Sequence, residues 1–284
     1  MAEDQPSGTA VGTFSTTDPD ASDTHTYTLV AGTGDTDNGS GSIVGSQLQT
    51  AAVLDFESGS SLSVRVETQD ATGATFEESF TITVTDENES PTDISLDNAT
   101  VAEDQPTGTT VGTFSTTDPD AGDSHTYTLV SGAGDTDNAS FSIAGNQLET
   151  AVVLDFESGS SLSIRVQTQD AGGASFEESF TITVTDENES PTDISLSNSI
   201  VAENQPTGTA VGTFSTTDPD AGDSHTYTLV AGTGDTDNAS FSITGNQLQT
   251  AAILNFETGS SLSIRVQSQD TPGATYQESF NITI

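Results

Sequence analysis

The sequence predicts an all-β chain of three tandem sandwich domains. Three observations carry that reading: a 100-residue internal repeat without insertions, apolar residues alternating with polar ones, and no segment that keeps a 3.6-residue period. The segment Val101–Val130 recurs almost verbatim from Val201, and from Glu3 in the first copy. Between Val101–Val184 and Val201–Ile284, 66 of 84 aligned positions are identical, so one fold stands three times in series. The domain boundaries are placed at 1–90, 91–190 and 191–284.

Within the second copy, Leu162, Ile164 and Val166 alternate with Ser163, Arg165 and Gln167, the pattern of a strand with one buried face. Phe180, Ile182 and Val184 alternate with threonines in the same way. Glu178 shares their inward parity, so a bulge or a strand start is expected there. His125, Tyr127 and Leu129 form a further alternating set. Phe141–Ile143 and Gln147–Thr150 flank Ala144-Gly145-Asn146 as a hairpin. Val111–Thr117 and a short strand at the Ile194–Leu196 position bring the expectation to about seven strands per repeat, with β-branched residues dominant. A Greek-key sandwich of immunoglobulin-like type accommodates that number.

The copies differ at their ends. Thr92–Thr100 leads into the second repeat and Thr192–Ile200 into the third, whereas nothing equivalent precedes Glu3. The third repeat stops at Ile284, before a counterpart of Asp86–Pro91, so the chain reads as a piece of a longer array. Repeat one, without its first strand, is expected to be the least stable and to present an open edge.

Charge narrows the function. The chain carries 44 acidic residues against three arginines, a net charge of −41, which opposes nucleic-acid phosphates and anionic lipid surfaces. Without cysteine there is no disulfide framework, thiolate metal site or cysteine nucleophile. No apolar run approaches the roughly 20 residues that span a bilayer, so membrane insertion is not expected. The acidic residues concentrate between strands, where turns gather them at the poles of the sandwich: Glu103, Asp118-Pro119-Asp120 with Asp123, Asp155-Phe156-Glu157, Asp170, and Asp186-Glu187-Asn188-Glu189. Hard oxygen ligands without histidine or thiolate suit Ca²⁺ better than zinc or copper. The competing reading is a merely acidic, salt-adapted surface.

The set Ala-Glu-Asp, Asp-Pro-Asp, Leu-Asp-Phe-Glu, Gln-Asp and Asp-Glu-Asn-Glu-Ser-Pro, in that order in the first two repeats and in part in the third, resembles the cadherin repeat, in the form found in long bacterial surface and secreted (RTX-type) adhesins. The resemblance implies calcium ions held between successive domains. Carried over residue by residue, it assigns the first junction to Glu3, Asp55 and Glu57, to Asn88 and Glu89 in the linker with main-chain carbonyls near Glu87 and Ser90, and to Asp118, Asp120 and Asp170. The second junction takes Glu103, Asp155, Glu157, Asn188, Glu189, Asp218, Asp220 and Asp270. Two departures stand out: the linker is one residue shorter than the family's, and Asn255 replaces the aspartate of Leu-Asp-Phe-Glu in repeat three.

Other groups have plainer readings. Gly32–Asn38 and its copies read as acidic turns, and one histidine per repeat as a hydrogen-bonded strand residue. Each arginine (Arg65, Arg165, Arg265) pairs with a carboxylate across the sheet. Serine-rich stretches lack an activating histidine nearby, and Glu77-Glu78 point to opposite faces of a strand, so neither serine nor glycosidase catalysis is expected. The resulting expectation is a monomeric, non-enzymatic extender or adhesion segment of an exported surface protein, stiffened by calcium. Binding of cell-surface glycans or of another adhesin chain is the alternative, for which exposed aromatic residues would be the sign.

Overall fold

The computed structural model describes residues 1–20 and 22–284. The middle repeat shows the architecture in full. One sheet orders its strands Thr126–Leu129, Ser161–Gln169, Ser175–Thr185 and Thr100–Ala102; the facing sheet orders Phe141–Ala144, Gln147–Thr150, Thr110–Thr117 and Asp93–Leu96. All pairings are antiparallel except Thr100–Ala102, which runs parallel to Ser175–Thr185 with Val101 opposite Val184. This parallel strand is the eighth, one more than the pattern predicts, because three residues are too short to show alternation.

The period-two sets face inward as expected. Ile164, Val166 and Ile182 are fully buried, and Phe114 stacks on Tyr127 with ring centroids 5.4 Å apart. The phenol of Tyr127 lies 2.8 Å from Thr116 Oγ1, which contacts buried Thr168 at 2.8 Å, so the polar tip has a partner inside an apolar layer. The hairpin closes through Gly145-Asn146, with Gly145 at φ 65°, as a two-residue turn led by glycine requires.

At Glu178 the structure corrects the expectation of a bulge or strand start. Ser175–Thr185 runs through it without interruption, with Glu178 opposite Val166. The side chain does point inward, and its Oε2 accepts the Ile94 amide of the facing sheet's edge strand at 3.2 Å. A partnered carboxylate at the rim removes the reason for a break. His125 also sits one residue outside its strand, which begins at Thr126.

Repeat three reproduces the plan, with an isolated parallel bridge between Ile200 and Thr283 in place of the short parallel strand. Repeat one has two three-stranded sheets, Ala10–Thr13, Gln47–Thr50 and Gly41–Val44 facing Thr26–Leu29, Ser61–Gln69 and Thr75–Thr83. No described residue occupies the place that Asp93–Leu96 and Asp193–Leu196 take in the other two.

Candidate metal centre

Two extended linkers, Asp86–Pro91 and Asp186–Pro191, join the repeats, and the acidic residues gather around them. Glu3 anchors the first gathering. Its side chain is only 1% exposed, with Oε2 accepting the Phe56 amide and Oε1 accepting the Glu87 amide at 2.8 Å. One carboxylate thus ties the Leu54–Glu57 turn of repeat one to the linker that leaves it. Around it, Glu57, Asp86 and Glu89 each bring a carboxylate oxygen so that all four lie within 4.8 Å of one another.

The next repeat closes the gathering from the other side. Asp120 Oδ2 accepts the Glu89 amide at 2.9 Å, and the Asn88 amide nitrogen donates to Asp170 Oδ2 at 3.1 Å. Asp118 Oδ1 accepts the Asp120 amide at 3.1 Å, while its Oδ2 lies 2.8 Å from His125 Nε2. Buried Asp170 also takes the Gly173 and Ala174 amides at 2.6 and 2.8 Å. Burial pushes Asp170 upward, but the donors Asn88, Ala174 and Gly173 outweigh it and hold the carboxyl below its usual range.

The second junction repeats these contacts. Glu103, again 1% exposed, accepts the Phe156 and Glu187 amides at 2.6 and 2.8 Å and stands in a group with Glu157, Asp186 and Glu189. Glu189 donates its amide to Asp220 at 2.9 Å, Asn188 reaches Asp270 at 3.2 Å, and Asp218 contacts His225 at 2.7 Å. A further group, Asp218, Asp223 and Asp270, lies at the head of repeat three; its counterpart in repeat one is Asp18, Asp23 and Asp70, while in repeat two Asp118 and Asp123 group with His125.

Asp55 and Asp155 stand apart. Each accepts the amide and hydroxyl of the serine three residues on, Ser58 or Ser158, so their carboxylates cap a turn outside the groups of four. The same donors hold both aspartates below the usual carboxyl range. The residue-by-residue assignment of the junctions did not include Asp86, Asp186, Asp123 or Asp223. The available signals were the leading aspartate of the linker motif and the third aspartate after Asp-Pro-Asp.

The electrostatics of the groups are unfavourable as they stand. Burial first, then the charges of Glu3 and Asp120, push Glu89 up to about 7. Burial and contact with Asp220 push Glu189 up to about 7 as well. Asp86, Asp186, Glu57 and Glu157 are raised mainly by burial and then by neighbouring carboxylates. One oxygen of Glu89, one of Glu189 and one of Asp223 are buried with no hydrogen-bond partner. An orphaned buried anionic oxygen within a group of carboxylates is what a hard dication would complete, so the donor set fits Ca²⁺.

These shifts carry a pH dependence in cation-free buffer. An ordinary glutamate titrates near 4.5, whereas Glu89 and Glu189 hold their protons to about 7 in the assembled junction. The assembled form therefore binds more protons than a free linker between those values. Its stabilisation is full below 4.5 and is lost as pH rises through about 7. Acidifying the cation-free chain from pH 8 to 5 should slow hydrogen exchange at the Glu89 and Glu189 amides beyond the intrinsic rate; exchange that quickens beyond it would contradict the sign.

The remaining motifs are structural. In the Gly32–Asn38 turn, Asp35 accepts the Gly32 amide at 3.0 Å and Asp37 the Ser63 amide at 2.7 Å. Arg65 and Arg165 pair with Glu77 and Glu177, whereas Arg265 hydrogen-bonds Gln277 instead. Tyr276 packs against its repeat's core, while Phe76 in repeat one is 64% exposed.

Residues 97–185 match the cadherin domain family model. Among solved structures, the chain is similar to extracellular cadherin domains 3–6 of protocadherin gamma B2, at 23% identity and a TM-score of 0.70 over 100% of this chain and 70% of that one. Domains 1–5 of the same protocadherin match at 22% identity and TM-score 0.70, over 99% of this chain and 57% of that one. EC1–3 of mouse protocadherin-24 matches at 20% identity and TM-score 0.71, over 100% and 94%. The fold is thus that of tandem cadherin-like domains. No curated protein matches the sequence.

Proposed function

We propose that the chain is a calcium-binding extender or adhesion segment of a large exported surface protein, with repeats 1–90, 91–190 and 191–284 stiffened at their two junctions. The observation that carries this reading is the position of Glu3, Glu57, Asp86 and Glu89 together at the exit of one repeat while Asp120 of the next holds the Glu89 amide. No arginine enters either group, so nothing within the described chain neutralises them. The donors at the first junction would be Glu3, Glu57, Asp86, Glu89, Asn88, Asp118, Asp120 and Asp170, with Asp123 beside Asp118; Asp55 orders the turn that carries Glu57. At the second they would be Glu103, Glu157, Asp186, Glu189, Asn188, Asp218, Asp220 and Asp270, with Asp223 beside Asp218 and with Asp155 as the turn residue. Bound calcium would supply positive charge shared between both sides of each linker. The protein's own part is to hold the carboxylates in place through main-chain donors.

Secretion, a bacterial host and a place in a long adhesin rest on the resemblance of the motifs, and the high acidity suits an exported protein. Among the described residues, no helix is long and apolar enough to cross a membrane. Calorimetric titration of the intact chain tests the reading: calcium should bind at two junctions, and magnesium or potassium at matched ionic strength should not substitute. Equal stabilisation by potassium chloride and calcium chloride would instead favour a salt-adapted acidic surface.

A pair of double variants locates the sites. Asp118→Ala with Asp120→Ala removes the acceptor of the Glu89 amide and the residue that orders it. Asp18→Ala with Asp20→Ala alters the equivalent loop of repeat one, where no described linker residue reaches across. The first should lose calcium stoichiometry, and the second should lose much less. Equal losses would refute the assignment.

A further inference from the structure

Seven Asn-x-Ser/Thr triplets occur in the chain. Such a triplet is the acceptor for an N-linked sugar: the asparagine nitrogen takes the sugar, and the hydroxyl two residues on is needed for recognition. The fold uses six of the seven asparagine amides. Asn38, Asn138 and Asn238 each donate Nδ2–H to a main-chain carbonyl, at Val30, Val130 and Val230, while Oδ1 accepts the amide of the repeat's arginine. In the linkers, Asn88 donates to Glu89 O and Asp170, and Asn188 to Glu189 O and Asp270. Asn98 donates to Thr100 O and Val111 O. Reaction at any of these nitrogens requires breaking contacts that order a turn, a strand or a junction.

Asn281 differs from all six. It lies in the strand Thr275–Thr283, where Asn281 and Thr283 are exposed and Ile282 between them is fully buried. Period two therefore sets the acceptor nitrogen and the recognition hydroxyl on the same outer face. Ser263 stands opposite Asn281 and Ser261 opposite Thr283, with Ser279 two residues before, so small side chains surround the site. Among the described residues, no group hydrogen-bonds the Asn281 side chain. Thr81 and Thr181 hold the same position in repeats that run on into a linker, and both are exposed as well. The openness thus belongs to this strand of the sandwich. Threonine serves the fold there twice, so nothing in the sandwich calls for an asparagine.

We propose that Asn281 is a glycan acceptor, and the one site of its kind that the folded chain leaves open. The co-substrate is an activated sugar diphosphate, carried on a nucleotide or a lipid, and the transferase is a separate protein. Asn281 Nδ2 bonds to the anomeric carbon as that carbon's bond to the diphosphate oxygen breaks. The nitrogen gives up one proton to a base of the transferase, and the diphosphate leaves with the bonding pair. The sugar then stands on the outer face of repeat three. The proposal goes beyond calcium binding and does not depend on it, since Asn281 shares no hydrogen bond with the linker residues.

The test incubates the intact, folded chain with a soluble asparagine glucosyltransferase and UDP-glucose in one arm. The other arm uses a membrane oligosaccharyltransferase and its lipid-linked sugar. Intact mass and peptide mapping read the product. One glycan per chain, at Asn281, is expected in at least one arm, and the arm that works identifies the carrier. Asn281→Thr, which restores the residue of the other two repeats, should abolish the product completely, as should Thr283→Val; Thr283→Ser should keep it. Thr181→Asn puts an acceptor ahead of Ile182 and Thr183 on the same face of repeat two, and should raise the count to two per chain. A synthetic peptide of sequence Gly132–Ser142 should be modified at its asparagine although the folded chain is not modified at Asn138. No transfer to the folded chain in either arm would overturn the proposal. So would transfer to Asn138 or Asn238 as readily as to Asn281, or a single glycan on the Thr181→Asn chain.

Discussion

Chelating divalent cations should widen the distribution of angles at both junctions while the far-UV circular dichroism stays unchanged. The two halves of this expectation rest on different parts of the sequence. The sandwich cores close without metal: Ile164, Val166 and Ile182, and Ile264, Val266 and Ile282, are fully buried between sheets whose strands pair over nine residues. The junctions have no apolar core of this kind and depend on carboxylates that repel. At an effective dielectric of about 20, two unit charges 4 Å apart repel by about 4 kcal/mol, and each junction holds four carboxylates within 4.8 Å of one another. The protonation of Glu89 and Glu189 relieves part of this near neutral pH, and counter-charge from a bound dication would relieve more. Small-angle scattering in calcium and in EDTA measures the angular spread directly. A dichroism signal that collapses in EDTA would show that the metal holds the sandwiches together and would refute the independent folding of the repeats.

The strands and the junctions were legible to different depths. Period two betrayed Leu162–Val166 and Phe180–Val184 because one face of each packs and the other is solvated. Thr100–Ala102 escaped because three residues with a parallel partner leave no alternation to read. Glu178 misled because parity marks direction and not environment: the side chain points inward, and only the structure reveals the Ile94 amide that satisfies it. At the junctions, Glu3, Glu57, Glu89 and Asp120 could be named from the order of motifs, since tandem copies bring the exit of one repeat to the entry of the next. Asp86 could not be ranked above its neighbours, because an extended linker gives no rule for which side chain turns inward. Asp55 was named by motif, and the structure adds what the motif does not show: its two oxygens each accept a hydrogen bond from Ser58, which fixes the turn that carries Glu57.

Repeat one should unfold first, and amides of Leu62–Val66 should exchange faster than those of Leu162–Val166 although the two strands differ at only one of these five positions, Val64 against Ile164. Two losses act together. The strand that brings Ile94 and Leu96 to repeat two has no counterpart, and burying two such side chains is worth on the order of 3–6 kcal/mol. Gly41 stands where the other copies bury Phe141 and Phe241, which removes a large side chain from the same interior. The consequence is visible in the packing: Val11, Phe14 and Ile82 are only partly buried, whereas Val111, Phe114 and Ile182 are enclosed. Against a typical domain stability of about 5–15 kcal/mol, losses of this size separate the unfolding of repeat one from that of the other two. The two causes can be told apart. A Cβ on Gly41 meets its nearest neighbour, the flexible end of Leu48, at 3.4 Å, and the other copies bury a phenylalanine at this position, so Gly41→Phe should recover part of the protection at Leu62–Val66. Full recovery from that substitution alone would assign the whole deficit to the missing phenylalanine. Equal protection in the unsubstituted chain would mean that Asp93–Leu96 contributes little to its own sandwich and belongs with the linker.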